Sequence, residues 1–362
     1  MKVVVTGTRG IPNIMGGVET HCEELCPRLA AMGVDVTVVR RASYANDSLT
    51  EWKGVKIKDI PAPKKKAFEA MVHTLRAVDY AARVHADVII VNAVGPALAV
   101  PYAKLRGLKV VFTHHGPDYD REKWGRLAKF MLRLGERKGV RYADDIVVIS
   151  DVIRNIVKEK YGRTKRVHLI YNGVPKPDVC DYPEYFEELG IEPGKYVLGM
   201  CRFVPEKRLH DLVEAFKGIE GYKLVLAGDT DFEDDYSRKL KADAKAAGAI
   251  LTGFVRGRKL HSLLSHAACY VLPSSHEGLP IALLEAMSYG RKVLVSDIPA
   301  NLEVGLGSDC YFRCGDVQDL RTRLKNRLSD PSTPDYDMSK YDWDVIACSF
   351  YDILNNPMRA ER

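Results

Sequence analysis

Apolar residues in this chain come in short, dense runs separated by stretches with helical spacing. Lys2–Thr6, Asp35–Val39, Asp87–Asn92 (DVIIVN), Lys109–Thr113 (KVVFT) and Asp145–Ser150 (DIVVIS) are nearly continuous apolar runs. Strands of a parallel sheet read this way because both of their faces are covered. Between the first two runs, Val18, Cys22, Leu25, Cys26, Leu29 and Ala30 recur on one helical face, and this pattern over Val18–Met32 stops at Gly33. Strand, helix, strand in that rhythm predicts an α/β domain with a parallel sheet over residues 1–175.

The rhythm breaks over Tyr171–Pro193, where Gly173, Pro175, Pro177, Pro183 and Gly190 interrupt it as an interdomain linker would. It then restarts. Strands are predicted at Tyr196–Met200, Tyr222–Gly228, Ala249–Thr252 and Cys269–Pro273, with Lys292–Ser296 closing the series. Helices are predicted at Leu209–Phe216, Asp234–Ala247, Lys259–Ala267 and Pro280–Tyr289. Residues 176–343 therefore read as a second doubly wound domain. A final helix, Asp344–Leu354, belongs to a tail over 344–362 that is free to pack back on the first domain. The predicted fold class is α/β, with two Rossmann-like doubly wound parallel-sheet domains facing across a cleft. Ligands of such sheets bind outside the carboxyl ends of the strands.

Composition narrows the picture. A chain of 362 residues is too long for one ordinary core and suits two domains. With 46% hydrophobic and 28% charged residues it has the balance of a globular protein, which excludes a disordered chain. No apolar run reaches the roughly 18 residues of a membrane span, and Val3–Val5 is too short for a signal-peptide core, so a cytoplasmic location is expected. Cys22, Cys26, Cys180, Cys201, Cys269, Cys310, Cys314 and Cys348 contain no Cys-x-x-Cys pair. They are expected to be free thiols rather than a metal site or a disulfide framework.

The loop after the first strand runs Gly7-Thr-Arg-Gly-Ile-Pro-Asn-Ile-Met-Gly-Gly-Val-Glu-Thr. A helix starting near Gly17 would turn the amides of Gly16 and Gly17 toward a ligand at the positive end of its dipole, which suits a diphosphate. Glycine also lets a bulky ligand approach the backbone. The spacing is not that of a dinucleotide fingerprint, and the second strand ends in Arg40-Arg41 where a ribose-binding acid would be needed. Arginines there can accept a 2′-phosphate, which keeps an NADP-dependent oxidoreductase as a minor alternative.

Three features cluster in the second half. Arg202 and Lys207 follow the strand Tyr196–Met200, where two cations can neutralise a diphosphate leaving group. Glu277 and Glu285 follow the strand Cys269–Pro273. A carboxylate on the ligand side of the helix can accept hydrogen bonds from ribose hydroxyls, and Glu277 in the preceding loop would face the ligand's far end. The turn Gly278-Leu279-Pro280 places amides at the start of that helix, a second anion cradle. Gly228-Asp229 ends another strand and opens room at the cleft. Acids near a helix start also stabilise its dipole, so either glutamate alone is weak evidence.

Taken together these motifs resemble the retaining glycosyltransferases of the GT-B fold, family 4. The paired acids are Glu277 and Glu285, the Arg/Lys pair is Arg202 and Lys207, and the Gly-Gly loop is Gly16-Gly17 with Glu19 following. The family's histidine corresponds to His114 or His115 in FTHHGPDYD, and the linker phrase Tyr171-Asn-Gly-Val also matches. GTRGIP…GGVET and HHGPDYDREKWGRLAKFMLRLGE further resemble a bacterial rhamnosyltransferase-like subgroup that builds surface polysaccharides.

The resemblance implies a retaining, metal-independent transfer of a hexose or deoxyhexose, of rhamnose or mannose type. The donor would be a nucleotide diphosphate sugar and the acceptor a glycan or lipid-linked species. Arg202, Lys207 and the amides of Gly16 and Gly17 would stabilise the departing diphosphate. Glu277 would hold the donor sugar, Glu285 the ribose, and His114 or His115 a sugar hydroxyl. Ser275, Gly278 and Leu279 would contribute backbone contacts, Gly228 the room for the donor, and Asp118 and Glu19 the acceptor side. No cofactor is expected, because the nucleotide sugar is a substrate. No metal is expected either: Asp-x-Asp at Asp118/Asp120, Asp229/Asp231 and Asp342/Asp344 reads as turn and cap acids. A nucleotide-sugar 2-epimerase of the same architecture is the principal alternative.

Charge is uneven along the chain. Residues 1–175 carry 30 Lys and Arg against 18 Asp and Glu, whereas 176–362 carry 24 against 30. Arg121–Tyr142 forms a basic amphipathic helix, with Trp124, Leu127, Phe130, Met131 and Leu134 on its apolar side, and Lys64-Lys65-Lys66 adds a second basic patch. Such a helix either covers a core with its apolar stripe or docks on an anionic membrane, so a peripheral location on the inner face of the plasma membrane is a stated expectation. No zinc, RRM or helix-turn-helix pattern supports nucleic acid as a partner.

Overall fold

The computed structural model describes residues 1–14, 16–45, 47–63, 66–120, 125–230 and 233–356. Lys64, Lys65, Arg121, Lys123, Trp124, Asp231 and the end of the expected tail, 357–362, lie outside the described residues. The chain divides into two compact units, residues 1–173 with 340–362 and residues 174–339.

The first unit is built on an eight-stranded sheet: β1 (Lys2–Thr6), β2 (Asp35–Arg41), β3 (Glu51–Trp52), β4 (Val55–Ile60), β5 (Val88–Asn92), β6 (Lys109–His114), β7 (Asp145–Val148) and β8 (Val167–Leu169). The strand order is β3-β4-β2-β1-β5-β6-β7-β8, and every pairing except β3–β4 is parallel. The order reverses between β1 and β5, which is the switch point where such sheets bind ligands. β4 escaped the sequence reading because VKIKDI alternates between buried and exposed positions instead of forming an apolar run.

The second unit carries six strands: β9 (Tyr196–Met200), β10 (Lys223–Ala227), β11 (Ile250–Gly253), β12 (Cys269–Leu272), β13 (Val293–Ser296) and β14 (Tyr311–Phe312). They lie in the order β11-β10-β9-β12-β13-β14, all parallel, with the switch point between β9 and β12. β13 does not close the series as expected: β14 pairs with it, and a two-residue strand is too short to show a period.

The interdomain segment also differs from its reading as plain linker. Pro183 and Gly190 are not interruptions there but the start and stop of a helix, Pro183–Leu189, with Gly190 in the left-handed conformation at φ 62°. Tyr171-Asn172-Gly173 serves the returning C-terminal helix, Trp343–Asn355. A Cβ on Gly173 would lie 2.7 Å from the Trp343 ring, and Tyr171 packs edge-on against Tyr341. Trp343, Ile346 and Phe350 join Val3, Leu25, Leu29 and Val36 in one core. Lys109 on β6 is buried and donates to the carbonyls of Ile353, Leu354 and Asn356 at 2.8–3.0 Å, satisfying the helix end.

Candidate functional site

At the switch point of the first sheet, Gly7 follows β1 with φ 87°, and a Cβ there would lie 2.1 Å from the Asn92 carbonyl oxygen. Only glycine lets the loop pass that close to β5. The helix Gly17–Ala31 starts as the spacing predicts, without a side-chain cap. Gly16 and Gly17 are glycines for different reasons. Gly16 has φ 149°, and a Cβ on it would meet Glu19 Oε2 at 2.1 Å and Arg9 Nη2 at 2.6 Å, whereas a Cβ on Gly17 would meet nothing within 4 Å. Gly16 is required by the loop itself, and the space beside Gly17 is open.

Glu19, expected on the acceptor side, is buried inside this loop. It accepts from the Arg9 amide at 2.9 Å and from Thr8 Oγ1 at 3.2 Å, and pairs with the Arg9 guanidinium at 3.3 Å. Burial alone would raise its carboxyl, but the charge and hydrogen bonds of Arg9 hold it below the usual range. Its ties are therefore to the loop that it shapes.

The two histidines separate clearly. His114 is fully buried; its Nδ1 accepts from the Gly116 amide at 3.1 Å, so Nε2–H donates to Glu136 at 3.0 Å. Glu136 also receives Tyr119, Lys160 and Tyr161. Burial would raise its carboxyl, but the hydrogen bonds from His114, Tyr161 and Lys160 hold it at about 2. His115 lies within 3.0 Å of Asn92 Oδ1 through Nε2, while Asn92 Nδ2 donates to the Thr6 carbonyl at 3.1 Å. The network therefore assigns the proton to Nε2 and leaves Nδ1 an acceptor, with no partner among the described residues. Burial, and then the neighbouring His21 and His114, push its pKa well down, so His115 is neutral. Asn92 and Glu136 were missed in the sequence. Glu136 carried one signal, being the single acid within the basic helix Arg126–Tyr142. Asp118 lies in the short turn Asp118–Asp120, between the two histidines and that helix.

In the second unit, the segment after β9 is pinned by Phe203, which is almost wholly buried. A 3₁₀ turn at Pro205–Lys207 then carries Lys207 to Glu277, with Lys207 Nζ hydrogen-bonded to Glu277 Oε1. These two residues are 70 apart in sequence and meet at the switch point between β9 and β12. Arg208 follows in the left-handed region at φ 49°, held by Asp211 at 2.6 Å. Arg202 and Cys201 share this corner, where burial, outweighing Lys207, pushes the Cys201 thiol up to about 12. Tyr270 on β12 is buried below; burial, then Cys201, Glu277 and Glu285, raise its hydroxyl and keep it protonated. Its hydroxyl donates to the Met200 carbonyl at 3.2 Å. Glu285 is half-buried on the helix Ile281–Ser288, and Leu279 is buried just before it.

Two expected ligand contacts are otherwise engaged. The Ser275 amide and hydroxyl both donate to the Glu206 carbonyl, at 2.8 and 3.2 Å, so that amide does not point at a phosphate. Gly228, with φ 135°, is a glycine because a Cβ would lie 2.0 Å from the Cys201 carbonyl oxygen; the space is filled by protein. Gly278 is partly exposed ahead of the helix.

Arg40 is buried and paired with Asp47 at 2.8 Å and Asp59 at 2.7 Å, and Arg41 lies 3.6 Å from Glu69. The arginine pair that would have favoured a 2′-phosphate is committed to carboxylates. Among the described acids of the Asp-x-Asp pairs, Asp229 pairs with Lys241, Asp342 caps the last helix, and Asp344 pairs with Arg28.

Residues 15–176 match Glycosyltransferase Family 4, and residues 181–341 match Glycosyl transferases group 1. The uncharacterised glycosyltransferase YqgM of Bacillus subtilis is 30% identical over 210 residues, which is 55% of each chain. That match thus spans about half the length of the relative. Sucrose-phosphate synthase from Thermosynechococcus elongatus superposes with a TM-score of 0.82 at 19% identity, over 97% of this chain and 98% of that one. Alr3699/HepE of Anabaena, solved in complex with UDP and glucose, superposes with a TM-score of 0.81 at 17% identity, over 98% and 99%.

Proposed function

The chain is a glycosyltransferase of the GT-B fold, its first segment in Glycosyltransferase Family 4 and its second in group 1, and from that premise we propose a retaining, metal-independent hexosyl transfer. The donor is a nucleotide diphosphate carrying a hexose or deoxyhexose, of rhamnose or mannose type. The acceptor is a glycan or lipid-linked sugar of a bacterial surface polysaccharide, met at the membrane surface.

The observation that carries this reading is the Lys207–Glu277 contact at the carboxyl edge of β9 and β12. A cation and a carboxylate held together at a switch point suit a sugar diphosphate, in which one end is anionic and the other is rich in hydroxyls. As the glycosyl bond parts, negative charge builds on the leaving diphosphate. Arg202 and Lys207 face that charge, and the helix start at Gly17 offers amides to it. Glu277 accepts from the sugar hydroxyls and Glu285 from the ribose. His115, neutral with Nδ1 open, accepts from a sugar hydroxyl, while His114 holds the turn behind it through Glu136. The relative solved with UDP and glucose supports a nucleotide donor.

A thermal-shift panel of UDP, GDP and TDP tests donor binding, since a bound nucleotide raises the melting temperature by mass action. Lys207→Ala and Glu277→Ala are each expected to lower turnover about 100-fold or more while the melting temperature stays close to wild type. Near-wild-type transfer by both variants defeats the assignment.

A further inference from the structure

The helix Arg126–Tyr142 has its polarity turned inside out. Its buried positions are Gly135, Glu136, Gly139 and Val140, so its single acid points into the protein. A Cβ on Gly135 would lie 2.0 Å from the Val94 carbonyl oxygen, and one on Gly139 would lie 2.9 Å from Ala97 and Phe112. At these two glycines the backbone itself is pressed against the core, which leaves little room on the inner face for further large apolar side chains. Two of those point outward instead: Leu127 is 73% exposed and Phe130 62%. Arg126, Arg133, Arg137 and Arg141 are exposed with them, following helical spacing along the same outer side. None of these four arginines is ion-paired among the described residues.

An ordinary surface helix buries its leucines and phenylalanines and mixes both signs of charge outside. This one buries a carboxylate and shows water two large apolar side chains bordered by positive charge. We propose that this outer face is a docking surface for a bilayer containing anionic lipid, with Leu127 and Phe130 entering the headgroup–acyl boundary and the arginines meeting lipid phosphates. Charge complementarity selects the occupant, because an uncharged apolar partner would leave the arginine stripe unmatched. The proposal deepens the acceptor side of the function proposed above and rests on it only for the lipid-linked acceptor; vesicle binding itself is measured without turnover.

The test is co-sedimentation of the full chain with vesicles of phosphatidylcholine alone and of phosphatidylcholine mixed with phosphatidylglycerol. The expected result is pelleting on the mixed vesicles only, weakened by added salt. Arg133→Glu with Arg137→Glu, and separately Leu127→Ser with Phe130→Ser, should each lower that binding by about tenfold or more. Lys245→Glu, on the second unit, should leave it unchanged. All of these positions are on the surface, so unchanged melting curves check folding, and the nucleotide thermal shift should persist in every variant. Equal pelleting on both vesicle types overturns the proposal. So does background pelleting on both, as expected if the face serves an acidic protein or nucleic acid, and so does anionic binding that neither double variant weakens. Failure of the unaltered chain to bind the mixed vesicles, with its nucleotide shift intact, would sink this proposal and leave the transferase reading standing.

Discussion

Gly16 and Gly17 are adjacent and identical, yet their substitution should separate stability from ligand binding. Gly16→Ala places a methyl group against Glu19 and Arg9 at a backbone angle that disfavours side chains. It should destabilise the first unit by about 1–3 kcal/mol in a denaturant titration. Gly17→Ala enters open space at a helix start and should leave stability unchanged or slightly improved. If the Gly17 amide lies against the donor diphosphate, the same methyl group should raise the KM for donor. A Gly17→Ala enzyme with unaltered KM would place the diphosphate elsewhere. The histidines give a parallel contrast. His115→Ala removes an open acceptor and should reduce turnover, with a smaller loss of stability because the group it leaves unmatched, Asn92 Oδ1, is neutral. His114→Ala strips a donor from buried Glu136 and should lower the melting temperature as well.

The loop from Met200 to Arg208 shows how a core residue can govern chemistry. Phe203 is almost fully buried and sits between Arg202 and the turn that carries Lys207. Phe203→Ala should cost about 3 kcal/mol of stability. It should also depress turnover beyond what unfolding explains, measured well below the new melting temperature, because the Lys207–Glu277 contact loses its anchor. The C-terminal helix is a second case. Lys109 caps its last carbonyls from inside the sheet, so Lys109→Met leaves buried carbonyls unmatched and should cost about 1–3 kcal/mol. Most helices and strands were legible from spacing, because apolar periodicity is a local record of which faces are covered. The reading failed where that record was short, as at β14, or where proline and glycine were helix boundaries, as at Pro183 and Gly190.

At the scale of the entire chain, buried histidines should make acid weaken the first unit. His21 is buried between Trp343, Phe350 and His115, and burial lowers its pKa from 6.5 to about 4, against a smaller opposing effect of its Asn172 hydrogen bond. A histidine held neutral when folded takes up a proton on unfolding below pH 6.5. Its contribution is thus complete above about pH 6.5 and is lost as the pH falls toward about 4, amounting to no more than about 3 kcal/mol. Glu136 extends the decline: its folded pKa of about 2 lies below the usual 4.5, so its contribution fades between those values. Melting temperature should fall steadily from pH 6.5 to 4, with His73, which burial also lowers to about 4, adding to the decline, and His21→Gln should flatten part of that slope. An unchanged slope would show that His21 is not a group responsible.

Much of this architecture is written in local pattern. Dense apolar runs marked the parallel strands, and those strands ordered the candidate residues along two carboxyl edges. Arg202, Lys207 and Glu277 lie in the segments that leave β9 and β12, and Glu285 on the helix that comes next, and position after a strand is a local property. The remaining decisions belong to packing between distant segments. Which of two neighbouring histidines keeps an open nitrogen depends on Asn92 and Glu136, which lie 23 and 22 residues away. The inward turn of Glu136 and the outward turn of Leu127 and Phe130 depend on two glycines meeting the core. Periodicity counts which residues share a helix face; only the shape of the surface that the helix meets selects the face that is buried.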